Sequence, residues 1–258
     1  MIVSYGTGQY SPSAAANEEH MLAVPYGWNG DGSRRIAVWC HSAGGLAIEP
    51  FSSGISTVTV MQAIVDSLGI PTISFDGQPE ASNLAQHWGN DTAQSRLTDA
   101  IAFAQSQTRA KTDKVILLGV SMGGLLALNW ARSNASKISA LGVFYPAANL
   151  QAVHDGTGGA GAGGAASTET AYGGSLASFN AAVTAHDPAQ NTAAYKSFGI
   201  PMKMWYSDSD TVVGTANQQN FANGIGSALQ TYVMPGAGHA DMSQIPLSDM
   251  QAFIQGGM

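Results

Sequence analysis

At 258 residues and 45% hydrophobic content, the chain can bury a full core, and no stretch approaches the roughly 20 apolar residues needed to span a bilayer. Only 10% of residues are charged, and ten Lys and Arg against seventeen Asp and Glu give a net charge of −7, so nucleic acid is excluded as the expected partner. One cysteine excludes an intramolecular disulfide or a cysteine-built zinc site, and the six histidines lack HxxxH or HExxH spacing, so no cofactor or metal is expected.

The first twenty residues lack a basic n-region and a continuous apolar run, so no signal peptide is expected and the default location is cytoplasmic, with virion association or export by another route as alternatives. Within residues 1–30, MLAVPY is the one strand candidate. IAVWC (36–40) reads as a strand, with Cys40 as a small buried hydrophobe. Val60, Met61, Ile64, Val65 and Leu68 then recur at helical spacing before Gly69, a helix stop. TISF (72–75) is a strand, followed by a helix whose apolar face is Ala93, Leu97, Ile101 and Ala104. KVILLGV (114–120) has no polar alternation, as expected of a strand buried on both faces of a parallel sheet. LLALNWA continues as a helix, SALGVFY as a strand, then MKMWY, a helix near Thr215–Asn223, and TYVM. Leu247, Met250, Phe253 and Ile254 give a last amphipathic helix, with Pro246 suited to its first turn. Repeated strand–helix units imply right-handed crossovers and a doubly wound α/β architecture in a single domain.

Residues 148–198 break this rhythm and contain GTGGAGAGGAAST (156–168), a low-complexity run. No strand precedes it as a dinucleotide-binding loop would require. The two readings left open are a lid over the site and a flexible surface segment.

The chemistry concentrates at Gly119-Val120-Ser121-Met122-Gly123-Gly124, between the most buried strand and a helix. A serine there sits on a sharp strand-to-helix turn, exposed at the carboxyl end of the sheet, and glycines two residues away on either side give the turn room. The helix start also aims its amides at the place where an oxyanion would form. Such a nucleophile needs a base and an orienting acid. His239 follows TYVM in a loop of small residues, whereas His154 and His186 fall in the irregular segment. The loop after MKMWY offers Asp208 and Asp210; Asp210 is preferred for the Thr-Val-Val that follows it, and Asp208 stays the alternative. The oxyanion donors are assigned to the amides of Met122 and Ala43, with Ser42 second, and His41 is read as a loop-fixing residue.

Together, HSAGG (41–45), GVSMGG (119–124), SDSDTVV (207–213) and GAGH (236–239) resemble the α/β-hydrolase superfamily over roughly residues 22–257, and FDGQPEASNLAQHWGNDTAQ (75–94) is similar to small esterase- and lipase-like members. The resemblance implies a three-layer α/β-hydrolase fold, a mostly parallel sheet of about eight strands with helices on both faces, and ester hydrolysis through an acyl-enzyme. Two departures stand out: His41-Ser42 replaces the usual His-Gly, and the scant N-terminal strands reduce the expected sheet to about six or seven. The neutral composition and short N-terminal region resemble hydrolases of bacteriophage tails and lysis cassettes.

Phe51, His87, Trp88, Met122 and Tyr145 fall beside strand ends and are expected to form the walls of a site for a small-molecule, lipid or glycan ester. Thioesterases, peptidases and acyltransferases share this machinery, and a silent binding module on the same fold is the rival class. A phosphate-binding reading of GVSMGG lacks the Lys-Ser/Thr of a P-loop.

Overall fold

The computed structural model describes residues 1–52, 57–78, 86–161 and 164–258. Its centre is β5 (Val115–Val120), buried along its whole length between β3 (Ala37–Cys40) and β6 (Ile138–Phe144). The sheet has eight strands in the order β1-β2-β4-β3-β5-β6-β7-β8, with β4 at Thr72–Phe75, β7 at Met202–Ser207 and β8 at Gln230–Met234. All pairings from β4 to β8 are parallel, while β1 (Ile2–Thr7) and β2 (Glu19–Val24) run antiparallel.

Alternation along the strands sends neighbouring residues to opposite faces. Val38, Leu117 and Leu141 pack with Leu97 and Ala104 of α2 (Asp91–Thr108), Leu126 and Trp130 of α3 (Met122–Asn134) and Phe221 of α8 (Thr215–Ile225). Trp39, Ile116 and Leu118 pack on the other face, against Val60 and Met61 of α1 (Thr57–Gln62), Ile64 and Val65 of the π-helical turn that continues it, and Ile254 of α9 (Leu247–Gln255). Phe144 stacks against Trp39 and Trp205, at centroid distances of 5.7 and 4.7 Å.

Pairings such as Cys40↔Gly119 and Val120↔Phe144 bring the carboxyl ends of the central strands to one edge. The loops that leave there are the ones the sequence marks as chemical, as ligand sites of open α/β sheets require.

Two expectations need correction. The sheet has eight strands, not six or seven, because β1 exists although Ile2, Val3 and Tyr5 are exposed. An edge strand held by backbone bonds to a single neighbour buries no side-chain stripe, so no period marks it. Pro246 is the residue before α9 rather than in its first turn.

Residues 150–196 contain α4 (Leu150–Asp155), α5 (Gly164–Ala171), α6 (Leu176–His186) and α7 (Thr192–Lys196). Asn149 and Ser175 cap α4 and α6 by accepting amides at 2.9 and 3.1 Å, and Phe179 and Val183 place one apolar stripe on α6. Residues 162–163 of the low-complexity run, and 79–85 of the stretch that resembles esterases, lie outside the described residues.

The loop between β1 and β2 is fastened to α2 by an ion pair. Glu18, fully buried, accepts from Arg96 Nε at 2.8 Å and Nη2 at 3.0 Å, and from the Tyr10 hydroxyl at 2.7 Å. Burial works against ionisation of Glu18, but the Arg96 hydrogen bonds and charge, the Ala15 amide and the Tyr10 hydroxyl together outweigh it and hold the carboxyl below the usual glutamate value. Arg96→Leu strands that carboxylate and should cost about 3–5 kcal/mol, read from the urea midpoint. Because the folded pKa is depressed, this stability is complete above the ordinary carboxylate range and is lost as pH falls through the lowered value. Glu18→Gln should therefore flatten the acid side of the stability–pH profile.

Candidate active site

Ser121 joins β5 to α3 with φ 54° and ψ −117°, a strained geometry for a residue with a side chain. Its carbonyl accepts from Leu125 N (3.2 Å) and Ala147 N (3.0 Å), and its amide donates to Phe144 O (2.9 Å). The glycines around it are required by close approach. A methyl group on Gly119 would stand 2.3 Å from the Gly123 carbonyl oxygen, and one on Gly123 would stand 2.1 Å from the Cys40 carbonyl oxygen. Cys40 itself is buried beneath this turn, and burial pushes its thiol pKa well above the ordinary value.

His239 is brought against Ser121 by the loop that follows β8. His239 Nε2 lies 2.8 Å from Ser121 Oγ, and Nδ1 lies 2.8 Å from Asp210 Oδ2. Asp210 is 3% exposed; its Oδ1 accepts the amides of Val212 (2.9 Å) and Val213 (3.1 Å). Burial alone would raise the Asp210 pKa, but the hydrogen bond and charge of His239 and these amides leave it below the ordinary aspartate value. The Val212-Val213 segment thus supplies backbone donors, which gives Thr-Val-Val after the aspartate a physical meaning. Asp208 points elsewhere: it is exposed and accepts from Gly236 N at 2.7 Å and Ser209 Oγ at 3.0 Å. The geometry joins Asp210, not Asp208, to the histidine.

Gln218, which nothing in the sequence singled out, is fully buried in α8 and donates from Nε2 to Asp210 Oδ2 at 3.2 Å. The one available signal is its position in the first turn of the helix that follows the acid.

The loop after β3 is fixed from two sides. His41 Nδ1 lies 2.7 Å from the Ser42 carbonyl oxygen, and Nε2 lies 2.9 Å from that of Asp76. The Ser42 carbonyl also accepts from Gly45 N at 3.0 Å. In a trans peptide the N–H of Ala43 points the opposite way from that carbonyl. The Ser42 amide is taken by the Glu49 carboxylate, at 3.3 and 3.1 Å, whereas among the described residues nothing accepts from the amides of Ala43 or Met122. Of these two amides, that of Ala43 is therefore free and that of Ser42 is not.

Ser121 and His239 open into a cleft of about 400 Å³ whose walls include Ala43, Trp88, Val153, Ser167, Thr211 and Val213. Trp88, at φ 43°, is the one of Phe51, Trp88 and Tyr145 that lines it. Its Nε1 donates to Ser167 Oγ of α5 at 3.1 Å, and its carbonyl accepts from the Tyr172 hydroxyl at 2.7 Å. Phe51 packs instead against the core around α1 and α9. Tyr145 is fully buried, with φ 46° turning it back into the protein; its hydroxyl donates to Asp241 O at 2.8 Å and its ring meets the His239 ring edge-on at 6.0 Å. It props the histidine from outside the cleft. His87 is buried against His41, and burial lowers its pKa well below the ordinary value. Met122 packs with Trp88, Leu150, Val153 and Phe179, so the helices of residues 150–196 share an apolar cluster with the start of α3. Among the described residues, no group of His, Cys, Asp or Glu side chains could hold a metal ion, and no helix is long and apolar enough to cross a membrane.

Residues 73–162 match the dienelactone hydrolase family. No curated protein matches the chain in sequence. Among solved structures, an S-formylglutathione hydrolase from Agrobacterium tumefaciens is similar at 15% identity and TM-score 0.72, over 98% of this chain and 94% of its own. Esterase B from Lactobacillus rhamnosis aligns at 15% identity and TM-score 0.71, over 99% and 86% of the two chains. A dienelactone hydrolase from Anabaena variabilis aligns at 15% identity and TM-score 0.62, over 98% and 95%. With its eight-stranded, mostly parallel sheet and the turn at Ser121, the chain has the α/β-hydrolase fold that these structures share.

Proposed function

We propose that the protein is a serine hydrolase that cleaves a carboxylic ester through an acyl-enzyme on Ser121. The observation that carries this reading is the unbroken hydrogen-bond chain from Asp210 through His239 to Ser121, opening on a cleft. His239 Nε2 takes the Ser121 proton as Oγ attacks the ester carbonyl, while Asp210 keeps Nδ1 as the donor and stabilises the imidazolium. The amides of Met122 and Ala43 hold the oxyanion, each contributing about 3 kcal/mol to transition-state stabilisation. His239 then returns the proton to the leaving alkoxide, and water, deprotonated by the same nitrogen, releases the acid. The match to a hydrolase family over residues 73–162 supports this class of chemistry. The helices of residues 150–196, which meet the cleft at Val153, Gly164 and Ser167, act in this reading as its cap.

The test is hydrolysis of p-nitrophenyl esters from acetyl to palmitoyl, alongside fluorophosphonate labelling. Serine-dependent turnover and labelling are expected, with the preferred chain length giving the depth of the cleft. Failure of both would leave the catalytically silent binding module.

A further inference from the structure

A second cleft, of about 390 Å³, lies on the other side of the loop that carries Ala43 and shares Ser42, Ala43 and Ala240 with the Ser121 cleft. Its walls include Leu46, Ile48, Val120 and Thr57, and the one charged side chain on them is Glu49. Glu49 is 7% exposed. Its carboxylate accepts from the Ser42 amide and the Ser42 hydroxyl, both neutral donors. Among the described residues, which include every Lys, Arg and His of the sequence, no cationic side chain pairs with it. The loop is shaped to receive it: a methyl group on Gly45 would stand 1.9 Å from Glu49 Oε2. An anion so largely desolvated is costly unless a cation completes it.

The rest of the charge distribution points the same way. Arg34 and Arg35 precede β3, Lys111 and Lys114 precede β5, Lys137 precedes β6 and Lys203 is the second residue of β7. Arg109, Arg132 and Lys196 lie at the ends of α2, α3 and α7 that lead back to those strand starts, and Arg96 is held by Glu18. The cations therefore gather at the amino end of the sheet, opposite the clefts, and no Lys or Arg lines either cleft. An anionic substrate finds no partner there, whereas a cationic one is drawn in by Glu49.

We infer that the cleft at Glu49 binds an organic ammonium group, so that the substrate is an ester carrying a cationic nitrogen a few bonds from the scissile carbonyl. This rests on the hydrolase reading for the chemistry, while the binding of the cation stands apart from it.

The experiment has two readouts. Turnover is compared within two matched series: acetylthiocholine, its uncharged 3,3-dimethylbutyl isostere and S-acetyl-3-mercaptopropionate, and p-nitrophenyl esters whose acyl chain ends in trimethylammonium, tert-butyl or carboxylate. In at least one series the cationic member should exceed the neutral one about tenfold or more in kcat/KM, mostly through KM, with the anionic member slowest. In Glu49→Gln the ratio of cationic to neutral turnover should collapse towards one; a merely loop-holding Glu49 would lower both equally and leave the ratio unchanged. Tetramethylammonium binding, followed by calorimetry on wild type and Ser121→Ala, is the second readout. Ile48→Lys, which places an ammonium on an exposed wall of the same cleft, should abolish that binding even if Glu49→Gln does not fold. Cation binding without turnover of any ester upholds the cleft and removes the hydrolase reading. Turnover without cation preference in either series, or a preference that survives Glu49→Gln, overturns the cleft assignment. Absence of both turnover and cation binding overturns the two together.

Discussion

Ser121→Ala is expected to lower kcat by about 10⁶-fold, the loss seen when a nucleophile that acts in concert with its base is removed. In the proposed mechanism the hydroxyl is the attacking atom, and His239 has no other proton to take from the turn: its Nε2 faces Ser121 Oγ at 2.8 Å and its Nδ1 is committed to Asp210. The amides proposed to hold the oxyanion are backbone groups and survive the change, so a small rate above solvent hydrolysis should persist. Purified Ser121→Ala assayed with the best p-nitrophenyl ester decides this, and activity within tenfold of wild type would remove Ser121 from the mechanism. The same position carries a stability prediction of opposite sign. At φ 54° and ψ −117° a side chain costs about 1–3 kcal/mol, while the entropy lost by a glycine costs about 0.5–1. Strain relief wins, so Ser121→Gly should be inactive yet more stable than wild type by about 1 kcal/mol, a rise of a few degrees in Tm.

Asp210→Asn should reduce kcat about 10⁴-fold with little change in KM. An amide at this position cannot balance the imidazolium, and it can present its N–H₂ to Nδ1, which forces the histidine into the tautomer that cannot accept the serine proton. The surroundings sharpen the effect. Oδ1 is held by two amides and Oδ2 by Gln218 and His239, so an asparagine cannot rotate away without breaking one set. Asp208→Asn is the control: an exposed carboxylate bonded to Gly236 and Ser209 should change kcat/KM by no more than about threefold. Comparable losses in the two variants would return the choice of acid to an open question.

Much of this was readable in the sequence because the strongest signals were local. An unbroken apolar strand, a serine between glycines and a helix start occupy ten consecutive residues, and each constrains the others. His239 was legible by position at the end of a strand. What escaped was whatever depends on direction rather than place. Phe51 and Tyr145 both stand near strand ends, but a left-handed backbone at Tyr145 and a short helical turn at Phe51 carry them into the packed interior. Asp208 and Asp210 share one loop, and only the amides of Val212 and Val213 decide which is buried and aligned. Gln218 and Glu49 meet partners only eight and seven residues back, but through irregular loops whose course no periodic pattern records. β1 escaped because its bonds are backbone bonds, and the helices of 150–196 because small residues blur their apolar face.

The buried thiol under the nucleophile turn has a practical consequence. Cys40 is sealed between β3 and α3 with its pKa raised, so it offers neither the exposure nor the thiolate that alkylating reagents require. The native surface behaves as cysteine-free without any substitution. A single Ala166→Cys change on the exposed side of α5 would then accept one fluorophore, on the residue next to Ser167, whose hydroxyl bonds Trp88. Quenching between that dye and the indole would report, in real time and in otherwise unaltered protein, whether the helices proposed as a cap move away from the cleft between one substrate and the next.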